Sequence, residues 1–405
     1  MKNSVRVSLK LLITPLFVHF DNVVIVEDDY RRFYPLSLST PISDLIIGGL
    51  RYYEHIILWL INAGLDPAIY VVTRDYLSRL WNGIAPSLLS RAGVKYSIKY
   101  LRGIDEVNGP SLIIHTSLLP HIDTLNKLAT NFNAGEVRCG DRVLIGLGGT
   151  VGGNVIHNCD LPMIEGVWSI IKWNTYLLRE NSKYLIKVLG DKSVDSEVSG
   201  SSVIDERGGA VIMVGASVEP LSYIRGPALL GPGSRVLPHA YIREGSVLYM
   251  YNAVGGEVKN SVMDTHSLKE HFSYLGDSYV GRWVNIGAGS VTSNLKNTIG
   301  IIRYAGVETG LIKLGSVIGD WAKVGINTSI MSGKYVGQGS SVIGLIRTNV
   351  PPFRICINDD CREYMLDKVV EVYRRFSRLR GVGVNESEIA LMRAVYEVSL
   401  HETPL

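Results

Sequence analysis

Residues 212–254 read IMVGASVEPLSYIRGPALLGPGSRVLPHAYIREGSVLYMYNAV. Counting in sixes from Ile212 meets Val218, Ile224, Leu230, Val236, Ile242, Leu248 and Val254, every one aliphatic. After a two-residue slip the count resumes at Val262, Leu268, Tyr274, Val280 and Ile286, and after a longer interruption at Ile312, Ile318, Val324, Ile330, Val336 and Val342. Ile, Leu and Val together make up only about a quarter of an ordinary chain, so chance does not produce this run. Helices repeat at 3.6 residues and amphipathic strands at 2, and neither gives six. A hexapeptide coil does: each repeat is one short strand and a bend, with its aliphatic residue turned inward.

The residues four places after each aliphatic are small through the first run: Ala216, Ser222, Ala228, Ser234, Ala240 and Ser246. Small side chains suit the corner where two faces of a tight coil meet. Three hexapeptides per turn predict a triangular prism of parallel strands, each stacked on the strand one turn earlier. Between Ile286 and Ile312 the phase is lost, and SNLKNTIGIIRYAGVETG (293–310) is expected to leave the prism as a loop. Loops on a rigid scaffold are where chemistry collects.

EHFSYLGDSYVGRWVNIGAGSVTSN (270–294) sits just before that excursion. With YIREGS and GEVKNS upstream of it, this region resembles the hexapeptide-repeat acyltransferases. It is most similar to the acetyltransferase half of the bifunctional enzymes that make UDP-N-acetylglucosamine. The resemblance is densest from Tyr241 to Asn294 and looser to about Pro352. It implies a left-handed parallel β-helix that acetylates glucosamine 1-phosphate from acetyl-CoA. It also implies a homotrimer, with the acetyl site shared between neighbours and the loop at 293–311 reaching across.

Position by position, the resemblance makes His271 the general base and Glu257 the carboxylate that orients it. Arg243 and Lys259 hold the sugar phosphate, and Tyr274 and Asn285 add further sugar-phosphate contacts. Ala288 offers its backbone N–H to the acetyl carbonyl, while Asn294 and Lys296 line the acetyl-CoA site. Arg347 or Arg354 would meet the phosphates of coenzyme A. The chemistry suits these residue types. A sugar amine is largely protonated near neutral pH, and a histidine with a pKa near 6.5 can take its proton when a carboxylate fixes the tautomer. A backbone N–H beside a glycine-bounded turn can meet the tetrahedral oxyanion. Arginine and lysine supply the cations that a phosphate needs.

The first half alternates strands with helical patterns: VVIVE, SDLIIGGLRYYEHIILWLINAG, AIYVVT, VKYSIKYL and SLIIHT, an α/β layout with a mainly parallel sheet. LIGLGGTVGGN (144–154) precedes VIHNCD rather than a helix, so it is read as strand and turn and not as a phosphate loop. EDDYRRFYPLSLSTP (27–41) carries the spacing R-x-x-P-L-[ST]-x-x-x-P. It resembles the signature of the sugar nucleotidyltransferases, which implies nucleotide contacts from Arg32 and Ser37 and transfer from UTP with Mg2+. The usual glycines, lysine and metal aspartate are missing, which leaves Asp28 and Asp29 as the nearest carboxylates for the metal. Weak nucleotidyl transfer is therefore expected.

The expected division is an α/β nucleotidyltransferase-like domain at 1–195, the β-helix at 196–355 and C-terminal helices at 356–405. Two helical patterns, from Cys361 and from a cap at Asn385, are expected to cover the end of the solenoid. Lys plus Arg number 41 against 38 for Asp plus Glu, too small a bias to argue for nucleic acid or an anionic membrane. No stretch is long and apolar enough to span a bilayer. The opening MKNSVRVSLKLLITPLFVHF contains Pro15, lacks a small-x-small cleavage site and is not read as a signal peptide. Cys139, Cys159, Cys356 and Cys361 show neither zinc spacing nor disulfide density, so free thiols and a cytoplasmic setting are expected.

The partners expected are a small sugar phosphate and a nucleoside triphosphate. Galactosamine 1-phosphate and dTTP remain alternatives to glucosamine 1-phosphate and UTP. Two other readings stay open: a nucleotidyltransferase whose β-helix only assembles and regulates it, and a binding protein that has lost both activities.

Overall fold

In the computed structural model, Val218, Val236 and Val254 are register partners on successive parallel strands, 18 residues apart. One turn is thus three hexapeptides, and three parallel sheets form the faces of a prism. The structure describes residues 20–82, 84–131, 135–148 and 154–402. The opening segment 1–19 and the glycine-rich stretch 149–153 lie outside the described residues.

The first face includes Ala228–Leu230, Ser246–Leu248, Val262–Met263 and Tyr279–Val280. The second includes Arg235–Val236, Ala253–Val254, Leu268–Lys269, Asn285–Ile286 and Lys323–Val324. The third includes Tyr241–Ile242, Glu257–Lys259 and Tyr274–Gly276, and is continued by Val291–Thr292 and Ser329–Ile330. Inside lies a column of buried side chains, among them Val218, Leu230, Ile242, Val258, Leu275, Ile286, Ile318 and Val336. Each fully buried aliphatic contributes on the order of 1.5–3 kcal/mol.

The count in sixes is off by one in places. Met213, not Ile212, pairs with inward Leu230. After Val254 the inward positions are Val258, Met263, Lys269 and Leu275, whereas Val262, Leu268 and Tyr274 face outward. The cause is two shortened corners. Four residues, 237–240, join the second face to the third in one turn, but only two, Gly255 and Gly256, do so in the next. The corner from the third face to the first falls from three residues, 243–245, to two, 260–261, which gives the odd offset. Gly256 has φ +68°, a conformation that a side chain would strain. Ile312 is half exposed in the excursion, and the inward series resumes at Ile318.

The N-terminal domain is a seven-stranded sheet in the order Ile98–Leu101, Ala68–Val72, Asn22–Val26, Ser111–His115, Arg142–Gly148, Glu136–Cys139, Val155–His157. The first four strands are parallel, and Arg142–Gly148 runs antiparallel to both of its neighbours. LIGLG therefore belongs to a strand, as the missing helix signal implied. The domain packs on the first face of the prism in one continuous core with Leu229, Val247, Val262, Tyr279 and Tyr335. Polar ties run across it. Tyr249 OH accepts from Leu88 N at 2.9 Å and donates to Glu54 Oε2 at 2.8 Å. Buried Arg51 and Asp264 pair at 3.1 Å, and losing one partner of such a pair costs about 3–5 kcal/mol.

The C-terminal helices, Leu366–Leu379 and Glu386–Ser399, do more than cover the solenoid end. They lie along one corner of the prism, where Tyr373 and Phe376 meet Trp283, and Glu388 accepts from Trp321 Nε1 at 2.9 Å. Asn385 caps the second helix through Ser387 N. The strand-edge role falls to a hairpin, Arg354–Ile357 with Asp360–Glu363, which extends the second face.

The thiol expectation is overturned: Cys139 pairs with Cys159, and Cys356 with Cys361, as disulfides. Cys356 and Cys361 are directly opposed in the hairpin, a proximity that strand pairing sets and linear spacing does not reveal. Among the described residues no helix is long and apolar enough to cross a membrane.

Candidate active site

The third face presents two outward columns. Tyr241, Glu257 and Tyr274 are register partners on successive strands, and Lys259 pairs with Gly276 one step along. Arg243 follows Ile242 and bonds through its backbone N to Val258 O, which sets it beside Lys259. Arg243 Nη1 lies 3.0 Å from Glu257 Oε1 and Nη2 3.4 Å from Glu244 Oε1, with the guanidinium 5.6 Å above the Tyr241 ring.

His271 projects from the corner that joins the second face to the third. It is exposed, beside Phe272 at 73% exposure. Its ring makes no hydrogen bond among the described residues, and Glu257 is engaged by Arg243 instead. One turn on, residues 287–289 form the neighbouring corner, where Gly289 N donates to Phe272 O at 3.1 Å. The Ala288 N–H makes no hydrogen bond among the described residues, and the same holds for the His271 and Ile326 N–H groups at the equivalent corner positions.

Asn294 Nδ2 donates to Tyr274 OH at 2.9 Å and to Asp277 Oδ2. Asp277 is itself held by Asn260 Nδ2 at 2.8 Å, and Asn260 accepts from Thr175 OH of the N-terminal domain at 2.7 Å. Burial, with Asp277 and Glu257 nearby, pushes the Tyr274 phenol up to about 12. The sequence reading missed Asn260 and Asp277, whose only signal is the shared N-S and GDS spacing of the two turns.

Other expected residues fall elsewhere. Asn285 pairs with Leu268 and Lys323 on the second face, around the corner from Glu257. Lys296 Nζ donates to Ile301 O at 2.6 Å within the excursion loop. That loop does not project freely outward. Its hairpin, Arg303–Tyr304 with Val307–Glu308, turns to its own N-terminal domain, where buried Tyr304 OH donates to Tyr34 O at 2.7 Å. Arg347 pairs with Asp359 at 2.8 Å. A cavity of about 570 Å3 lined by Trp81, Tyr96, Tyr251 and His266 lies at another corner, away from His271.

The end of the parallel sheet is closed in on itself. Arg74 stacks 4.6 Å over Tyr30 and pairs with Glu27 at 3.3 Å, while Glu27 also accepts from Thr73 OH at 2.6 Å. Gln338 of the prism bonds Pro35 O and Ser39 Oγ. Ser37 is fully buried in this packing, and Arg32 lies half-buried 5.5 Å from the Trp168 ring centroid. Asp28 spends both carboxylate oxygens within the chain, on His115 Nδ1 at 3.1 Å and Ser117 N at 2.6 Å. Asp29 is exposed, and among the described residues no three His, Cys, Asp or Glu converge on one point. Asp28 and Asp29 as they stand do not make a magnesium site.

A triangular coil of hexapeptides with a histidine-bearing corner, fused behind an α/β sheet in this order, defines a hexapeptide-repeat β-helix protein with an α/β N-terminal domain. No family model matches the chain. In sequence it is 36% identical over 157 residues to the bifunctional protein GlmU of Desulfitobacterium hafniense, covering 38% of this chain and 32% of that one. To the GlmU of Methanococcus maripaludis it is 34% identical over 194 residues, covering 46% and 45%. To the bifunctional sugar-1-phosphate nucleotidylyltransferase/acetyltransferase of Sulfurisphaera tokodaii it is 32% identical over 176 residues, covering 42% and 41%. The chain is thus homologous to these bifunctional proteins, and it spans between a third and a half of their length.

Proposed function

We propose that the chain is a transferase that N-acetylates an amino-sugar 1-phosphate, glucosamine 1-phosphate foremost, from acetyl-CoA. In the complete reading, its N-terminal half couples the product to UTP and gives UDP-N-acetylglucosamine. We assign nucleotidyl transfer to residues 1–195, acetyl transfer to 196–355 and packing to 356–405. The observation that supports the reading is the grouping of Glu257, Arg243, Lys259, Tyr274 and Asn294 across the third face, with His271 on the corner that leads into Tyr274.

The steps follow from that grouping. The sugar phosphate binds Arg243 and Lys259, and it draws the guanidinium from Glu257. The freed carboxylate then takes one nitrogen of the His271 ring and leaves the other to accept a proton. The sugar amine attacks the thioester carbonyl, a C–N bond forms, and His271 takes the amine proton. The Ala288 N–H meets the oxyanion. The C–S bond breaks, and the imidazolium returns the proton to the coenzyme A sulfur.

We further propose a homotrimer in which this corner meets a neighbouring copy. Phe272, Ile326 and Ile343 stand exposed along it, an apolar strip beside the catalytic histidine. A second reading, in which only acetyl transfer is active, is favoured by the self-occupied Asp28 and Arg74 at the sheet end. The experiment is direct. Purified chain is given acetyl-CoA, glucosamine or galactosamine 1-phosphate, and UTP or dTTP, and the products are identified by mass spectrometry. An acetylated sugar phosphate supports the reading, and its absence with every amino sugar overturns it.

A further inference from the structure

Lys269 is a lysine where every other turn of the second face turns a small or apolar residue into the prism. Its register partner is inward Val254, and it is 1% exposed. The ammonium ends at the corner beneath His271. It donates to Gly255 O at 2.6 Å, Ser273 O at 3.1 Å and His271 O at 3.3 Å. Ser273 O also accepts the backbone N–H of Glu257 at 2.9 Å, so the lysine and the strand that carries Glu257 share one acceptor.

The shortened corner explains the lysine. The turn that carries His271 spends four residues, 270–273, between the second and third faces, and so does the next turn, 287–290. The turn below spends only Gly255 and Gly256. Two residues of backbone, with the donors they bring, are missing under the His271 corner. Two carbonyls there, Gly255 O and His271 O, would face the apolar interior unpaired, a cost of about 1–3 kcal/mol each. The ammonium fills that space, donates to both, and shares Ser273 O with the Glu257 N–H. It carries its charge into the interior at the expense of its own proton affinity: burial pulls it down to about 8.

We infer that Lys269 is a positioning residue of the acetyl-transfer site, holding the His271 corner above the Gly255–Gly256 corner from inside the coil. It thereby sets the distance between the base and Glu257. The inference rests on the reading of His271 as the base. Nothing in the hexapeptide count marks Lys269, because the period places the aliphatic at Leu268.

The test compares Lys269→Met, which keeps the volume and removes the donors, in the wild-type and His271→Ala backgrounds. Circular dichroism and the thermal midpoint confirm a folded prism. Lys269→Met is expected to lower kcat for acetyl transfer about tenfold or more, with KM for acetyl-CoA within about twofold. In the His271→Ala background the same substitution is expected to leave the residual rate unchanged, since a residue acting through His271 has nothing left to act on. Lys269→Gln, which retains two N–H donors, is expected to fall between, and it decides the same comparison should Lys269→Met not fold. An equal loss in both backgrounds would mark the lysine as merely structural and overturn the inference. A wild-type kcat in Lys269→Met would overturn it too, while an unimpaired His271→Ala enzyme would overturn the reading of the reaction and the inference together.

Discussion

Arg243 Nη1 lies 3.0 Å from Glu257 Oε1, so the guanidinium that suits a phosphate and the carboxylate that suits a base neutralise each other in the free chain. Both side chains are about a third exposed, so the pair itself adds little stability and can open to a ligand. In the proposed reaction, substrate binding would exchange one anion for another on Arg243 and free Glu257 for His271.

It follows that Arg243→Ala should raise KM for the sugar phosphate about 10–100-fold, the weight of one charged hydrogen-bonded contact. Because Glu257 is freed rather than lost, kcat should stay within a few fold. Initial rates against sugar phosphate at fixed, saturating acetyl-CoA measure both. An unchanged KM would remove Arg243 from the phosphate site.

Assembly gives a second expectation. Multi-angle light scattering should return three copies of the 44.6 kDa chain, and Phe272→Asp should shift the population to smaller species. Phe272 is 73% exposed in the single chain, so the substitution does not disturb its core. A fully active monomer would contradict the shared site.

Nucleotidyl transfer from UTP to N-acetylglucosamine 1-phosphate should be slow. Arg74 and Asp28, at the ends of the strands where a nucleotide would lie, are both bonded within the chain. Arg32→Ala should reduce whatever turnover exists in a magnesium-dependent assay. Robust turnover indifferent to Arg32 would place the nucleotide elsewhere.

Stability should carry the mark of His55. Its Nε2 lies 2.7 Å from Ile47 O and its Nδ1 3.0 Å from Asn181 Nδ2, which fixes a neutral ring with the proton on Nε2. Burial pulls this histidine down to about 4. The unfolded chain, with an ordinary histidine near 6.5, therefore binds more protons between pH 6.5 and 4, and stability is lost as pH falls through that window. Asp44, raised to about 6 by burial, and Glu388, raised to about 7, act in the opposite direction. The measurement is thus a comparison. The advantage of wild type over His55→Gln in urea should shrink by up to about 3 kcal/mol between pH 7 and pH 4.5. Parallel pH profiles would show that His55 does not titrate this way.

The prism was readable because one aliphatic per six residues leaves a trace no helix or ordinary strand leaves, and Val218, Val236 and Val254 stack as that trace implies. What the count misplaced, Val262, Leu268 and Tyr274, follows the corner 260–261, one residue shorter than 243–245 in the turn before, and a strand slipped by one turns every side chain over. EHFSYLGD marked the His271 corner in advance. The supports beneath it, Lys269, Asn260 and Asp277, did not stand out, because their roles depend on neighbours a full turn away in sequence. The disulfides were hidden for the same reason: Cys356 meets Cys361 through a hairpin that the hexapeptide period does not foretell. In the N-terminal half the strands were legible as apolar runs. The closing of the sheet end was not, since it takes Tyr304 and Gln338 from the far part of the chain.

The central claim is that His271 is the base of an amine acetylation. The most direct measurement is the rate of N-acetylation of glucosamine 1-phosphate by His271→Ala beside wild type, with acetyl-CoA saturating and coenzyme A release followed continuously. His271 is exposed and its ring makes no hydrogen bond among the described residues, so the substitution leaves the coil intact. A fall in kcat of about 10²–10⁴ with an unchanged thermal midpoint is the predicted result. An undiminished rate in the mutant would contradict the account.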